Sequence, residues 1–202
     1  MQQAESSAAP VSPNAGRWVL FVTILASSMA FIDSSALNVA LPALQNDLGA
    51  SGAELLWIVN AYSLFLASLL LVGGALGDRF GRKRIYSIGI VLFAVASLAC
   101  GLALDTSLLI AARAVQGIGG ALMVPGSLAL ISATFPADER GRAIGTWSSF
   151  STITTILGPA LGGFLASLGL WRAVFFINIP LAIAALAALQ QKVPESRNPQ
   201  AS

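Results

Sequence analysis

No histidine occurs in this sequence, and cysteine occurs once, at Cys100. An internal disulfide framework is therefore excluded, and the usual zinc and haem ligand sets are missing, so no metal is expected. Cys100 sits inside an apolar run and reads as a small buried residue. Charge is the second shortage: 10% of the 202 residues are Asp, Glu, Lys or Arg, against 56% hydrophobic. Soluble domains carry roughly 25% charged residues, so a water-facing surface is excluded and a membrane protein is indicated. A net charge of +2 is too small to point to nucleic acid.

What the chain has in quantity is long apolar runs. A span needs about 20 mostly apolar residues, and six segments qualify, at about 18–44, 55–76, 85–104, 107–135, 143–168 and 173–190. The expected organisation is a flexible tail over 1–16, a six-span all-α bundle over 17–191, and a second tail or linker over 192–202. Arg17 ahead of the first run resembles the start of a signal peptide, but the run continues too far for one.

The connectors orient the bundle. With the N-terminal tail on the cytoplasmic side, the inside holds Arg17, Arg79, Arg82, Lys83, Arg84, Arg140, Arg142, Lys192 and Arg197, and the outside holds Arg172 alone. That asymmetry follows the positive-inside rule and places both termini in the cytoplasm. Five charges crowd into Asp78–Arg84, between spans two and three. An anchoring role explains the cations but not Asp78 or the glycines around it. Gly73, Gly77 and Gly81 are spaced to let another helix backbone approach, and Asp78 is placed to bond a neighbouring helix N-terminus. Such a turn reads as a latch between moving parts. The charges of the next inside turn, Asp138, Glu139, Arg140 and Arg142, are either solvated or its partners.

Two charged residues lie within the spans, Asp33 and Arg113. Each costs about 2.5–3.5 kcal/mol at a helix centre, so they are expected to face a cavity or one another. Asp33 lies 16 residues past Arg17, or ~24 Å; Arg113 enters from the opposite side, six residues past Ser107, or ~9 Å deep. In a core ~30 Å thick both sit at similar heights. An aspartate can exchange a proton and an arginine in practice cannot, which makes Asp33 the candidate proton carrier and Arg113 its electrostatic partner; the plainer alternative is a static ion pair that fixes packing. Gln116, three residues past Arg113, belongs near it. Asn38 is five residues past Asp33 and need not share its face. These two amides, with Trp57 and Tyr62, are candidate cavity residues. Phe65, Trp147 and Phe150 are further aromatics able to stack on a lipophilic cation.

Gly158, Pro159, Gly162 and Gly163 fall in the middle of span five, combining a lost helical hydrogen bond with a small-residue face; they are a candidate hinge. Gly117, Gly119 and Gly120 do not complete a dinucleotide motif, because Leu122 fills the last position and no strand precedes them. With no phosphate loop either, no ATP site and no cofactor are expected, and energy must come from an ion gradient or the solute itself.

Four stretches carry a family resemblance. "GALGDRFGRKR" resembles the signature between spans two and three of the major facilitator superfamily. "FIDSSALNVALPAL", Phe31–Leu44, resembles the first-span motif of its fourteen-span drug:proton antiporters, "LIAARAVQGIGGALMVP", Leu109–Pro125, the fourth-span motif with its arginine, and "LGPALGGFL", Leu157–Leu165, the fifth-span antiporter motif. "WRAVFFINIP", Trp171–Pro180, also fits that branch, with Ala173 where an aromatic is often found. The resemblance implies the N-terminal half of a major facilitator fold, built as 3+3 inverted repeats, in a bacterial inner membrane. It implies proton-coupled efflux of amphipathic drugs by alternating access, with a second half or a self-associated copy as partner. A uniporter or symporter of the same superfamily, or a truncated half that binds or regulates a membrane partner, are the alternatives. An enzyme is not expected, since no paired carboxylates and no nucleophile–base pair appear.

Overall fold

The computed structural model describes residues 13–196. The described chain is helical: α1 (Pro13–Leu48), α2 (Gly52–Phe80), α3 (Arg82–Gly101), α4 (Thr106–Thr134), α5 (Ala137–Ser167), α6 (Ala173–Phe176) and α7 (Asn178–Lys192). Six helical segments are long and apolar enough to cross a membrane, the last being α6 and α7 together, Ala173–Lys192.

The helices outrun the apolar segments that announce them, because polar flanks continue the helix beyond the apolar core. Residues 13–16, expected as part of the N-terminal tail, open α1 instead. Pro13 is at home there, since the first helical position needs no N–H donor. Residues 1–12 and 197–202 of the expected tails lie outside the described residues. The starts of α2 and α4 are written locally. Ser51 and Glu54 form a reciprocal capping box on α2, and the Asp105 carboxylate accepts from the Leu108 N–H at 2.8 Å to start α4. Between α2 and α3 the chain turns on Gly81 alone, at φ +109°, a backbone conformation that suits glycine. The sixth span is broken at Ile177, although Arg172 and Ile177 keep right-handed helical backbone angles. Pro180 has no N–H to return to Phe176, which weakens the ladder there.

The packing carries an internal exchange symmetry. α2 packs on α4 as α5 packs on α1; α3 packs on α4 as α7 packs on α1; α1 meets α4, and α3 meets α7. Exchanging the first three spans for the last three maps these contacts onto themselves, as an inverted 3+3 repeat requires. Close approach is set by small residues. A Cβ at Gly73 would run into the Ala121 carbonyl, and one at Gly162 into the backbone of Ala36. At Gly77 nothing lies within 4 Å, so the close helix approach expected there occurs one turn earlier, at Gly73.

Two apolar clusters fill the bundle. One holds Val19–Ala30 side chains of α1 with Tyr86, Phe93, Met123 and Leu189. The other holds Ala36–Leu44 side chains of α1 with Ile58, Cys100, Leu109 and Phe175. Between the two clusters lie the buried polar residues Asp33 of α1, Ser97 of α3, Arg113 and Gln116 of α4 and Asn178 of α7, and there the candidate site lies.

Candidate functional site

Asp33 and Arg113, 80 residues apart in sequence, meet at 2.5 Å between Nη1 and Oδ2. Both are buried, at 0% and 1% exposure, which for an unpaired charge would be prohibitive. The pair is therefore held by a surrounding shell. The Arg113 guanidinium also donates to Gln116 Oε1 at 2.6 Å and to the Ile58 carbonyl at 3.2 Å, and lies over the Tyr62 ring at 4.3 Å from its centroid. Gln116 Nε2 donates to Asp33 Oδ1 and to Ser97 Oγ, both at 2.8 Å. Asn178 Nδ2 reaches the same two oxygens, each at 3.2 Å. The Cys100 thiol touches Gln116 Oε1 at 3.7 Å. α1 thus supplies the acid, α4 the cation and an amide, α3 the hydroxyl, α7 a second amide and α2 the aromatic face.

Of the expected site residues, the structure brings Asp33, Arg113, Gln116 and Tyr62 together. Asn38 stays out: it is exposed and donates to the Ser34 carbonyl of its own helix at 2.9 Å. Five helical residues turn about 140° away from Asp33. Trp57 is also outside, 55% exposed, and so are Phe65 and Phe150, both exposed on the bundle surface. Trp147 joins a second buried polar chain, donating to Ser27 Oγ at 3.0 Å; Ser27 meets Ser127 at 3.1 Å, and Ser127 meets the Tyr86 hydroxyl at 3.0 Å. Ser97 and Asn178 were not singled out from sequence. A serine in an apolar span is common, but Asn178 had a visible signal, a lone amide in the apolar half of span six.

The charged turn after α2 is built differently from the expectation. Asp78 does not bond a neighbouring helix N-terminus; it takes Arg82 Nε at 2.9 Å and Nη2 at 2.8 Å, one turn along. Asp78 sits in the last turn of α2, so Arg82 just beyond Gly81 is the cation within reach. The N-terminus of α3 is capped by Glu195, whose carboxylate accepts from the Lys83 and Arg84 amides at 3.0 and 3.1 Å. Lys83 Nζ donates to the carbonyls of Gln190 and Val193 at 3.1 and 2.7 Å, and the Arg82 amide to that of Ser196 at 2.9 Å. Arg79 and Arg84 are exposed beside this junction. Gly81 abuts the Glu195 carboxylate. The turn between α4 and α5 is not its partner: among the described residues the three ion pairs are Asp78–Arg82, Asp33–Arg113 and Asp47–Arg172.

At the opposite end Arg172 pairs with Asp47 and donates to the Ala103 carbonyl at 3.0 Å, while Trp171 Nε1 donates to Asp47 at 3.2 Å. Glu54 and Thr106 bond across α2 and α4. On α5, Gly158 and Gly162 are buried against Ser35 and Ala36 of α1; a Cβ at Gly163 would meet only Val39, at 3.4 Å, and Pro159 is exposed. The exposed face of α5 is rich in hydroxyls, including Ser148, Ser149, Thr152 and Thr155.

Residues 23–202 match the family model described as Major Facilitator Superfamily. The chain is 44% identical over 170 residues to a methylenomycin A resistance protein of Bacillus subtilis, covering 83% of this chain and 36% of that one. It is 40% identical over 200 residues to a probable actinorhodin transporter of Streptomyces coelicolor, covering 96% and 35%. The chain therefore spans about a third of the length of these relatives. A solved structure of a bacterial homologue of the human lysosomal transporter Spinster, inward-facing and occupied, matches at TM-score 0.76 and 24% identity over 93% of this chain and 47% of that one; at that identity the likeness concerns the fold.

Proposed function

Because this chain belongs to the Major Facilitator Superfamily, we propose that it forms the N-terminal six-span part of an efflux transporter. That transporter exchanges protons for amphipathic small molecules, and Asp33 is the group that carries the proton. The single observation behind this reading is the fully buried Asp33–Arg113 pair inside a hydrogen-bonded shell drawn from four spans. An ionisable pair at that depth is costly to keep, and a carboxylate is the one member able to change charge. The relatives' descriptions as a resistance protein and a transporter support export of small organic molecules.

The basic turn at Arg79–Arg84 lies on the cytoplasmic side of the plasma membrane in this reading, with both ends of the bundle. α2 and α5 are the least buried spans. A hydroxyl-rich α5 face is poorly suited to lipid tails, although the hydroxyls bond back to carbonyls of their own helix. That face, with Asn38 and Trp57, is the surface on which substrate and a second bundle, or a second copy, are placed. Alternating access rocks the two bundles about this face, with Gly158, Pro159, Gly162 and Gly163 as the pliant part of α5. Protonation and substrate drive exchange by favouring different states or by competing for one site.

The test is Asp33→Asn in energised membrane vesicles carrying the complete transporter. Proton-driven export is expected to be lost while membrane insertion is unchanged. Undiminished export from the variant overturns the assignment. Substrate-induced proton movement in the same direction as the substrate replaces antiport by symport, and its absence with transport intact leaves a uniporter.

A further inference from the structure

The shell around Asp33 contains one fully buried side-chain polar atom with no hydrogen-bond partner. Asn178 is fully buried, its Nδ2 donates to Asp33 Oδ1 and Ser97 Oγ, and its Oδ1 is the buried side-chain acceptor left unsatisfied among the described residues. Such an orphan is expected to cost free energy unless another state uses it. We propose that Asn178 is a positioning residue that reports the protonation of Asp33: its side-chain amide turns over when the carboxylate gains a proton. The inference rests on Asp33 being the proton carrier.

The hydrogen-bond inventory leaves few alternatives. Asp33 accepts from Arg113, Gln116 and Asn178, three N–H donors suited to a carboxylate. A proton added to Asp33 converts an acceptor into an O–H donor that needs an acceptor of its own. Oδ2 is the wrong oxygen for it, because Arg113 Nη1 stands 2.5 Å away and has only hydrogens to offer. On Oδ1 the new O–H faces the amides of Gln116 and Asn178. Gln116 cannot turn without cost, since its Oε1 already receives Arg113 Nη1 at 2.6 Å. A reversed Gln116 would set N–H groups against a guanidinium. Asn178 can. Half a rotation about Cβ–Cγ exchanges its idle Oδ1 with Nδ2 and places that oxygen where it accepts from both the Asp33 O–H and the Ser97 hydroxyl.

The charged and titratable groups facing Asp33 from the packed elements are Arg113 on α4, Tyr62 on α2 and Cys100 on α3. None of them offers a free acceptor at Asp33 Oδ1. Asn178 is the first residue of α7, directly after the break at Ile177. A reorientation there is applied at the least continuous point of the sixth span.

Infrared difference spectroscopy of the reconstituted full-length protein, with isotope-labelled asparagine, tests this. On acidification a protonated-carboxyl band that disappears in Asp33→Asn is expected. With the same midpoint, one asparagine C=O band should shift to lower frequency as its oxygen begins to accept hydrogen bonds. That shift should be absent from Asp33→Asn and from Asn178→Leu. A static Asn178 that only packs and donates leaves the labelled C=O band unmoved while the carboxyl band appears, and this overturns the amide switch but not the proton carrier. Failure of the carboxyl band to appear at any pH where the protein stays folded removes the proton carrier, and the switch with it. Should Asn178→Leu not fold, the wild-type shift and its loss in Asp33→Asn still decide the question.

Discussion

Glu195 reaches across 112 residues of chain to hold the backbone amide of Lys83. Its other carboxylate oxygen holds the amide of Arg84. The segment after the last span thereby caps the helix that follows the basic turn, as an N-cap side chain does from within its own helix. Glu195→Ala should destabilise the bundle by about 1 kcal/mol, in the range of a lost N-cap, and Glu195→Gln by less, because an acceptor oxygen is kept. Cys100 is the sole cysteine of the chain and fully buried. A thiol-reactive dye therefore reports melting of the detergent-solubilised protein. Equal melting of Glu195→Ala and wild type would show that the cap contributes nothing.

Removing one member of the buried ion pair should cost far more than removing both. Arg113→Gln leaves the Asp33 carboxylate uncompensated, at about 3–5 kcal/mol. Combining it with Asp33→Asn replaces a charge pair by two amides and should recover more than half of that loss without restoring transport. The same melting assay checks this, and an Arg113→Gln protein as stable as wild type is the outcome that contradicts it.

The pair at the other end should behave differently. Asp47 and Arg172 are partly exposed, at 46% and 31% of their side chains, so water screens them. A double-mutant cycle with Asp47→Ala and Arg172→Ala should return a coupling of only about 0.2–1 kcal/mol. A coupling of several kcal/mol at physiological salt would mean the pair is shielded by something that covers it.

Neighbouring glycines should respond in opposite ways. A Cβ at Gly162 lies 2.7 Å from Ala36 Cα, whereas one at Gly163 meets only Val39 Cγ1 at 3.4 Å. Gly162→Ala should separate α1 from α5 and cost roughly 1–3 kcal/mol as overpacking; Gly163→Ala should be close to neutral. Gly77→Ala, with open space around its Cβ, should also be tolerated. Melting temperatures of the three variants decide the order, and a neutral Gly162→Ala would count against the packing described.

Much of this arrangement was legible in the residues themselves. Apolar runs long enough to span, separated by charged turns, fix the number of spans. The shared depth of Asp33 and Arg113 brings them to one level, and a three-residue offset puts Gln116 beside Arg113. Asn38 fell away because its offset from Asp33 turns it to another face. Ser97 was hidden because a lone serine in an apolar span is ordinary and its partner came from α4 and α7, which only packing selects. Glu195 was hidden for a related reason: it lies beyond the last apolar run, where nothing local shows that the chain folds back onto α3. The misplaced role of Asp78 follows from the same gap, since one acid near a helix start was visible and the distant one was not.

The separation of the apolar interior into two clusters has a mechanical meaning. Interlocked hydrocarbon side chains resist sliding, because any displacement opens voids. Directional bonds between amides, hydroxyls and an ion pair can exchange partners in place. A bundle whose oily interior is interrupted by such a stratum holds, at that level, bonds that can be remade without opening voids, and among the described residues its buried acid, Asp33, lies there.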